Sequence, residues 1–277
     1  MPWKGENMKK KNPLFYVFLV IFIVVIVYIC ITIKNNYLIG ADAYNNAASN
    51  VSIVKNGTNE TPKVQINKGQ IYKYEDIVSL DVDWTKFDTS KVIGWIQVED
   101  DDTIDYPIVQ SKDNDYYLHH LYDDTESNQG SIFVDYRNEG FGNRHTILYG
   151  HNMKNGSMFS HIKKYQNEEY ANEHRYIYVA TPNGETRVFY VYSCHLTNAL
   201  GDEDGFNAYQ VSFNGDEEWQ NWIKETQERS LITSNIEIPN DGCNILTLST
   251  CMSRGDENER CVIHAIEVSN KKLVETK

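Results

Sequence analysis

Thiols are scarce in this chain. It has five cysteines in 277 residues, and no two stand in a Cys-x-x-Cys pair. That count and spacing exclude a disulfide-stapled scaffold and a structural zinc finger, and no metal site or cofactor is expected. Basic residues are also in deficit, with 26 Lys and Arg against 39 Asp and Glu. Beyond residue 34 the balance is 21 basic to 38 acidic residues, which excludes nucleic acid as a partner and disfavours anionic lipid surfaces. An acidic surface of this kind suits cationic or amine-bearing partners.

Only one long apolar run is present. Residues 14–33 carry no charge and are mostly Ile, Val, Phe and Leu. As a helix they span about 30 Å, the thickness of a bilayer's hydrocarbon core. A cleaved signal peptide has an apolar core of about 7–15 residues, so a retained transmembrane anchor is the better reading. Lys4, Lys9, Lys10 and Lys11 precede the run and orient it with the N-terminus in the cytoplasm. The expected organisation is a cytoplasmic tail over 1–13, a membrane anchor over 14–33, a polar stalk over 34–75 with a helix at 41–51, and a catalytic domain over 76–277.

Beyond the stalk, aromatic and β-branched runs alternate with turns. Strands are expected at 92–98, 104–110, 131–135 and 146–150, with a turn or short helix at 113–121. Two more, at 175–180 and 186–194, flank Thr181-Pro182-Asn183-Gly184, a hairpin turn. Residues 216–229 form the clearest helix, with an acidic first turn and Trp219, Trp222, Ile223 and Thr226 at helical spacing. A last pair of strands follows. The expected fold is mainly β, a barrel of about eight short strands with helical decoration.

That last pair carries the chemistry. Thr247-Leu248-Ser249-Thr250-Cys251 ends one strand, and Arg260 opens the next after an acidic loop at 252–259. Paired as a hairpin, the two strands set a thiol and a guanidinium face to face, and Leu148-Tyr149-Gly150-His151-Asn152 offers a base at another strand end. Cys30 lies in the apolar run. Cys194, Cys243 and Cys261 read as buried small hydrophobes, and register argues against a Cys243–Cys261 bridge. Adjacent on a helix, His119 and His120 would diverge by about 100° and make a poor metal pair. His161 and His174 read as solvated, His195 and His264 as satisfied core or surface residues, and His145 as a weaker candidate base than His151.

These motifs resemble the sortases, and within them class B. The resemblance rests on Tyr149-Gly150-His151-Asn152 with Ser157-Met158-Phe159, on Thr247 through Cys251, and on Glu259-Arg260. Gly94-Trp95-Ile96, Asp105 through Gln110 and Gly130 through Asp135 add to it. It implies an eight-stranded sortase-type β-barrel with an N-terminal helix and a long helix inserted before the penultimate strand. It further implies a cysteine transpeptidase on the outer face of a Gram-positive membrane. Such an enzyme cleaves a C-terminal sorting signal of the NPQTN kind after its Thr and joins the surface protein to a peptidoglycan amine. Cys251 would be the nucleophile, His151 the acid/base and Arg260 the third member. Asn114, Leu118, Ser249 and Thr197 would contact the sorting signal, Thr197 in a stretch that departs from the family pattern. No cofactor is implied, and the chain is expected to be a monomer. The alternatives are a pilin-polymerising sortase, disfavoured by the polar C-terminus, and a cysteine hydrolase of cell-wall peptides. A non-catalytic binding module is disfavoured because all three reactive positions are filled.

Overall fold

Residues 13–55, 78–236, 238–239, 242–252 and 258–272 are described by a computed structural model. The tail up to residue 12, stalk residues 56–75 and the loop centre at 253–257 lie outside that set. A single helix, α1 (Pro13–Ala48), carries the apolar run and continues past it. Through residue 35 its side chains are exposed, with no described residue covering them. Its last turns then pack on the domain that follows, where Tyr44 and Ala47 are buried. Tyr44 donates its hydroxyl proton to the Gly130 carbonyl at 2.5 Å and meets the Tyr106 ring edge-on. The separate helix expected at 41–51 is thus the end of α1. It stops three residues early because Val51 begins β1 (Val51–Lys55), which pairs antiparallel with β2 (Val78–Val82) outside the main sheet.

The main sheet closes on itself. Its members are β3 (Val92–Val98), β4 (Asp101–Gln110), β5 (Ile132–Val134), β6 (His145–Tyr149), β7 (Tyr176–Ala180), β8 (Glu185–Asn198), β9 (Ile245–Cys251) and β10 (Glu259–Lys272), in the order β10-β8-β7-β3-β4-β5-β6-β9. Neighbours run antiparallel except β4 with β5 and β6 with β9. The eight-stranded barrel is therefore as expected. Its strands are not uniformly short, since β8 and β10 have 14 residues each and β4 begins at Asp101. The β7–β8 turn closes with Thr181 N–H on the Glu185 carbonyl at 2.9 Å, and Gly184 takes the positive φ that an L side chain resists.

A short helix, α2 (Glu168–Glu173), and a longer one, α3 (Asp216–Glu228), decorate the barrel, α3 falling just before the penultimate strand. It lays Trp219, Trp222, Ile223 and Thr226 on the barrel's outer face. Along β10, Cys261, Ile263 and Ala265 therefore face the barrel interior while Val262 and Ile266 pack in the α3 layer. A strand covered on both faces loses the apolar–polar alternation of a half-buried one.

Candidate active site

Parallel pairing of β6 with β9 aligns Tyr149 with Ser249, an offset of 100 that carries His151, just past the end of β6, level with Cys251 at the end of β9. Two clips hold that alignment, Gly150 N–H to the Ser249 carbonyl at 3.2 Å and Thr250 Oγ1–H to the Gly150 carbonyl at 2.8 Å. On the other side, β10 pairs antiparallel with β9 and sets Arg260 opposite Cys251. Three side chains from three strands meet at one end of the barrel. Cys251 is exposed there, whereas Cys194, Cys243 and Cys261 are buried.

His151 donates from Nε2 to the Leu118 carbonyl at 2.8 Å. A carbonyl can only accept, so Nε2 carries the proton in the neutral ring and Nδ1 is the nitrogen free to exchange one. Burial lowers the His151 pKa, the Leu118 bond opposing it, so the resting imidazole is neutral. Asn152, the next residue, donates to the Cys251 carbonyl at 2.8 Å and ties the two strand ends together.

A cleft of about 460 Å³ opens at this end, lined by Cys251, His151 and Arg260 together with Asn114, Leu118 and Ser249. Asn114 is held on both sides, giving a proton to Asp135 at 3.1 Å and accepting one from the Tyr136 amide at 2.9 Å. The Ser249 hydroxyl pairs with that of Tyr209 at 3.0 Å. Thr197 lies opposite Arg260 across β8 and β10, but its hydroxyl is spent on Asp202 at 3.0 Å and it does not line the cleft.

The sortase domain matches residues 96–268 of the chain, from within the first barrel strand to near the end of the last. A sortase B of Listeria monocytogenes is 38% identical over 176 residues, covering 62% of this chain and 68% of that protein. The chain belongs to the sortase B family. A Bacillus anthracis sortase B structure superposes with a TM-score of 0.65 at 31% identity, covering 86% of this chain and 100% of that one. A Staphylococcus aureus sortase B solved as a substrate complex gives 0.58 at 27% identity over 67% of this chain and 82% of that one.

Within this sortase B fold the small polar residues of the Cys251 strand each have a partner. Thr247 accepts and donates between His145 and His264, Ser249 meets Tyr209, Thr250 clips the His151 strand, and Leu248 fills the interior. Gly150 is a packing requirement. An added Cβ would lie 2.5 Å from Ile132 Cδ1 and 2.7 Å from Phe159 Cγ. Gly150→Ala is therefore expected to cost about 1–3 kcal/mol through overpacking. By displacing His151 it should lower kcat/KM about a hundredfold. Steady-state kinetics beside a melting curve measures both, and unchanged turnover would show that His151 is not held by this contact.

Five cleft residues were not singled out in the sequence, namely Arg137, Ala199, Leu200, Asn207 and Tyr209. They come from irregular segments, where no periodicity marks a side chain's direction. Two histidine expectations also fail. His161 is not solvated, since its Nδ1 sits 2.9 Å from the Asp101 carboxylate, and His174 stacks on Tyr170 with centroids 4.0 Å apart. His195 is core but unsatisfied, with neither ring nitrogen bonded to a described residue. Among the described residues no cluster of three or more His, Cys, Asp or Glu is placed to hold a metal ion.

Proposed function

We propose that the chain is a membrane-anchored transpeptidase that cleaves a C-terminal sorting signal after its Thr, holds the acyl fragment as a thioester on Cys251, and transfers it to a cell-wall peptide amine. The observation that carries this reading is the convergence of Cys251, His151 and Arg260 on one cleft. The Cys251 sulfur attacks the scissile carbonyl, and its proton passes to Nδ1 of His151. The departing amine takes that proton as the carbon–nitrogen bond breaks. Arg260, permanently charged and planar, offers N–H donors to the oxygen on which negative charge builds. An incoming amine then attacks the thioester and gives its proton to His151, which passes it to the departing sulfur as the carbon–sulfur bond breaks and the Cys251 thiol is restored.

Transfer outruns hydrolysis only where the amine is positioned better than water. The exposed apolar stretch of α1 supports an anchor, and the lysines before it support a cytoplasmic N-terminus with the barrel outside. The Staphylococcus aureus sortase B–substrate complex supports a sorting-signal substrate for this cleft by similarity. Product analysis tests the reading. The detergent-solubilised chain with a sorting-peptide library should yield amine-linked product once a wall-peptide amine is added. Hydrolysed peptide alone, at every amine concentration, would make it a cysteine hydrolase instead.

A further inference from the structure

The chain carries a net charge of −13, yet among the described residues the cleft is lined by two arginines and by no Asp or Glu. One is Arg260. The other, Arg137, has no part in the chemistry above and is held by a carboxylate directly behind the cleft wall. Asp135 is fully buried at 0% exposure. Its Oδ1 accepts from the Arg137 amide and from Arg137 Nε, both at 2.9 Å. Its Oδ2 accepts from Arg137 Nη2 at 2.8 Å, from Tyr149 Oη at 2.8 Å and from Asn114 Nδ2 at 3.1 Å. Arg137 Nη2 also donates to the Tyr209 carbonyl at 3.0 Å, which ties the opposite wall to the same hub.

Both Asp135 oxygens face one edge of the guanidinium, the Nε–Nη2 edge. Nη1 lies on the other side, bonds to no described residue, and belongs to a side chain that is 36% exposed and lines the cleft. A side chain as flexible as arginine is seldom fixed this firmly at a surface, because ordering its rotamers costs entropy. Here two side-chain hydrogen bonds to a buried carboxylate and one to the Tyr209 carbonyl offset that cost.

We propose that Arg137 is a recognition residue for the peptide substrate, reading a neutral carbonyl oxygen through Nη1, and that Asp135 is the positioning residue that aims it. The carboxylate behind it already balances the Arg137 charge. The free edge therefore acts as a rigid pair of N–H donors rather than as a bare cation. That edge suits an amide oxygen, such as an Asn or Gln side chain of the sorting signal, better than a carboxylate, which would bring an uncompensated charge into the cleft. Asn114, pinned to the same hub, has a second N–H beside it. Discrimination of this kind arises because peptides lacking the acceptor leave a buried donor unpaired.

The inference rests on the transpeptidase reading. Its test uses the full chain in detergent, a sorting peptide that the wild type cleaves, and matched peptides with each Asn or Gln replaced in turn by Leu. For one position the wild type should prefer the amide about tenfold in KM, with kcat within about twofold. In Arg137→Met that preference should collapse to about unity. Arg137→Lys keeps a charge beside Asp135 without the planar fork, so it should retain wild-type melting and still lose the preference. Should Arg137→Met fail to fold, the Lys variant alone decides. A preference that persists in the folded variant overturns the proposal, as does an equal loss on amide and Leu peptides. A wild type that acylates Cys251 with no peptide sinks the transpeptidase reading and this inference together, an outcome distinct from either of those.

Discussion

A Cys251→Ala chain is expected to lose both cleavage and transfer, with kcat falling by at least about 10⁴. The thiol is the atom on which the acyl group rides, so no neighbouring side chain can substitute for it. Cys194→Ala is the matched control. Cys194 is fully buried, with its sulfur 3.8 Å from that of Cys261. The Cys261 hydrogen bond and burial push its pKa up, so it stays a neutral thiol and a poor nucleophile. Its loss should cost about 1 kcal/mol of stability and leave turnover near normal. Peptide cleavage followed by chromatography separates the two. Residual turnover in Cys251→Ala that Cys194→Ala abolished would move the nucleophile and undo the mechanism.

Acid should weaken the fold well above the range of ordinary carboxylates. Under α3, three histidines lie in one buried layer. His145 sits 4.4 Å from the Trp222 ring, and His195 stacks on His264 at 5.0 Å. Their neutral tautomers are fixed in a chain. His145 Nδ1 donates to the Gln210 carbonyl at 2.7 Å, so its Nε2 accepts from the Thr247 hydroxyl at 2.6 Å. Thr247 Oγ1 then accepts from His264 Nδ1 at 2.7 Å, and His264 Nε2 bonds to no described residue. Burial lowers His145 to about 4 and His195 to about 4, and takes His264 well below its usual range, with the other two histidines adding to the effect on His264.

An unfolded histidine takes up its proton near pH 6.5, whereas His145 and His195 do not until about pH 4. Between those values the unfolded state binds more protons, so stability falls as pH falls. Each histidine should remove up to about 1.4 kcal/mol per pH unit in that window, or about 3 kcal/mol by pH 4. For a domain with total stability of about 5–15 kcal/mol, two or three such groups take a large share. Asp101 and Asp135 act in a lower window. Burial raises both pKa values, but hydrogen bonds from Thr103 and Tyr170 to Asp101, and from Arg137 and Tyr149 to Asp135, outweigh it and leave both depressed. Their contribution is lost only as pH drops below the ordinary carboxylate range. Urea unfolding across pH 7 to about 4 should show the steep fall, and His195→Gln should flatten it by one histidine's share. A stability curve flat over that range would contradict the buried-layer account.

The barrel was legible because its strands carry β-branched and aromatic runs separated by turn residues, and the Cys251–Arg260 pairing because two strands joined by a loop have one natural register. The offset of 100 that brings His151 beside Cys251 was not legible, since a parallel pairing between β6 and β9 leaves no local mark. The same holds for β1 with β2, whose partners lie on either side of residues 56–77. Thr247 shows the limit differently. In the sequence it reads as part of a strand ending in a nucleophile, but its hydroxyl serves the histidine layer on the outer face of the barrel, away from the thiol. Arg137 and Tyr209 reach the cleft from turns, where only three-dimensional placement reveals a shared site. The charge pattern of the whole chain pointed to cationic partners, while the cleft itself gathers arginines. Average charge describes the solvated surface and says little about the site.

The most direct measurement of the central claim is the intact mass of the detergent-solubilised chain after incubation with a cleavable sorting peptide, with no amine added. A mass increase equal to the acyl fragment is expected, mapped to Cys251, and it should disappear on addition of a wall-peptide amine as amine-linked product forms. Peptide cleavage with no adduct on Cys251, or an adduct carried by another residue, would contradict it.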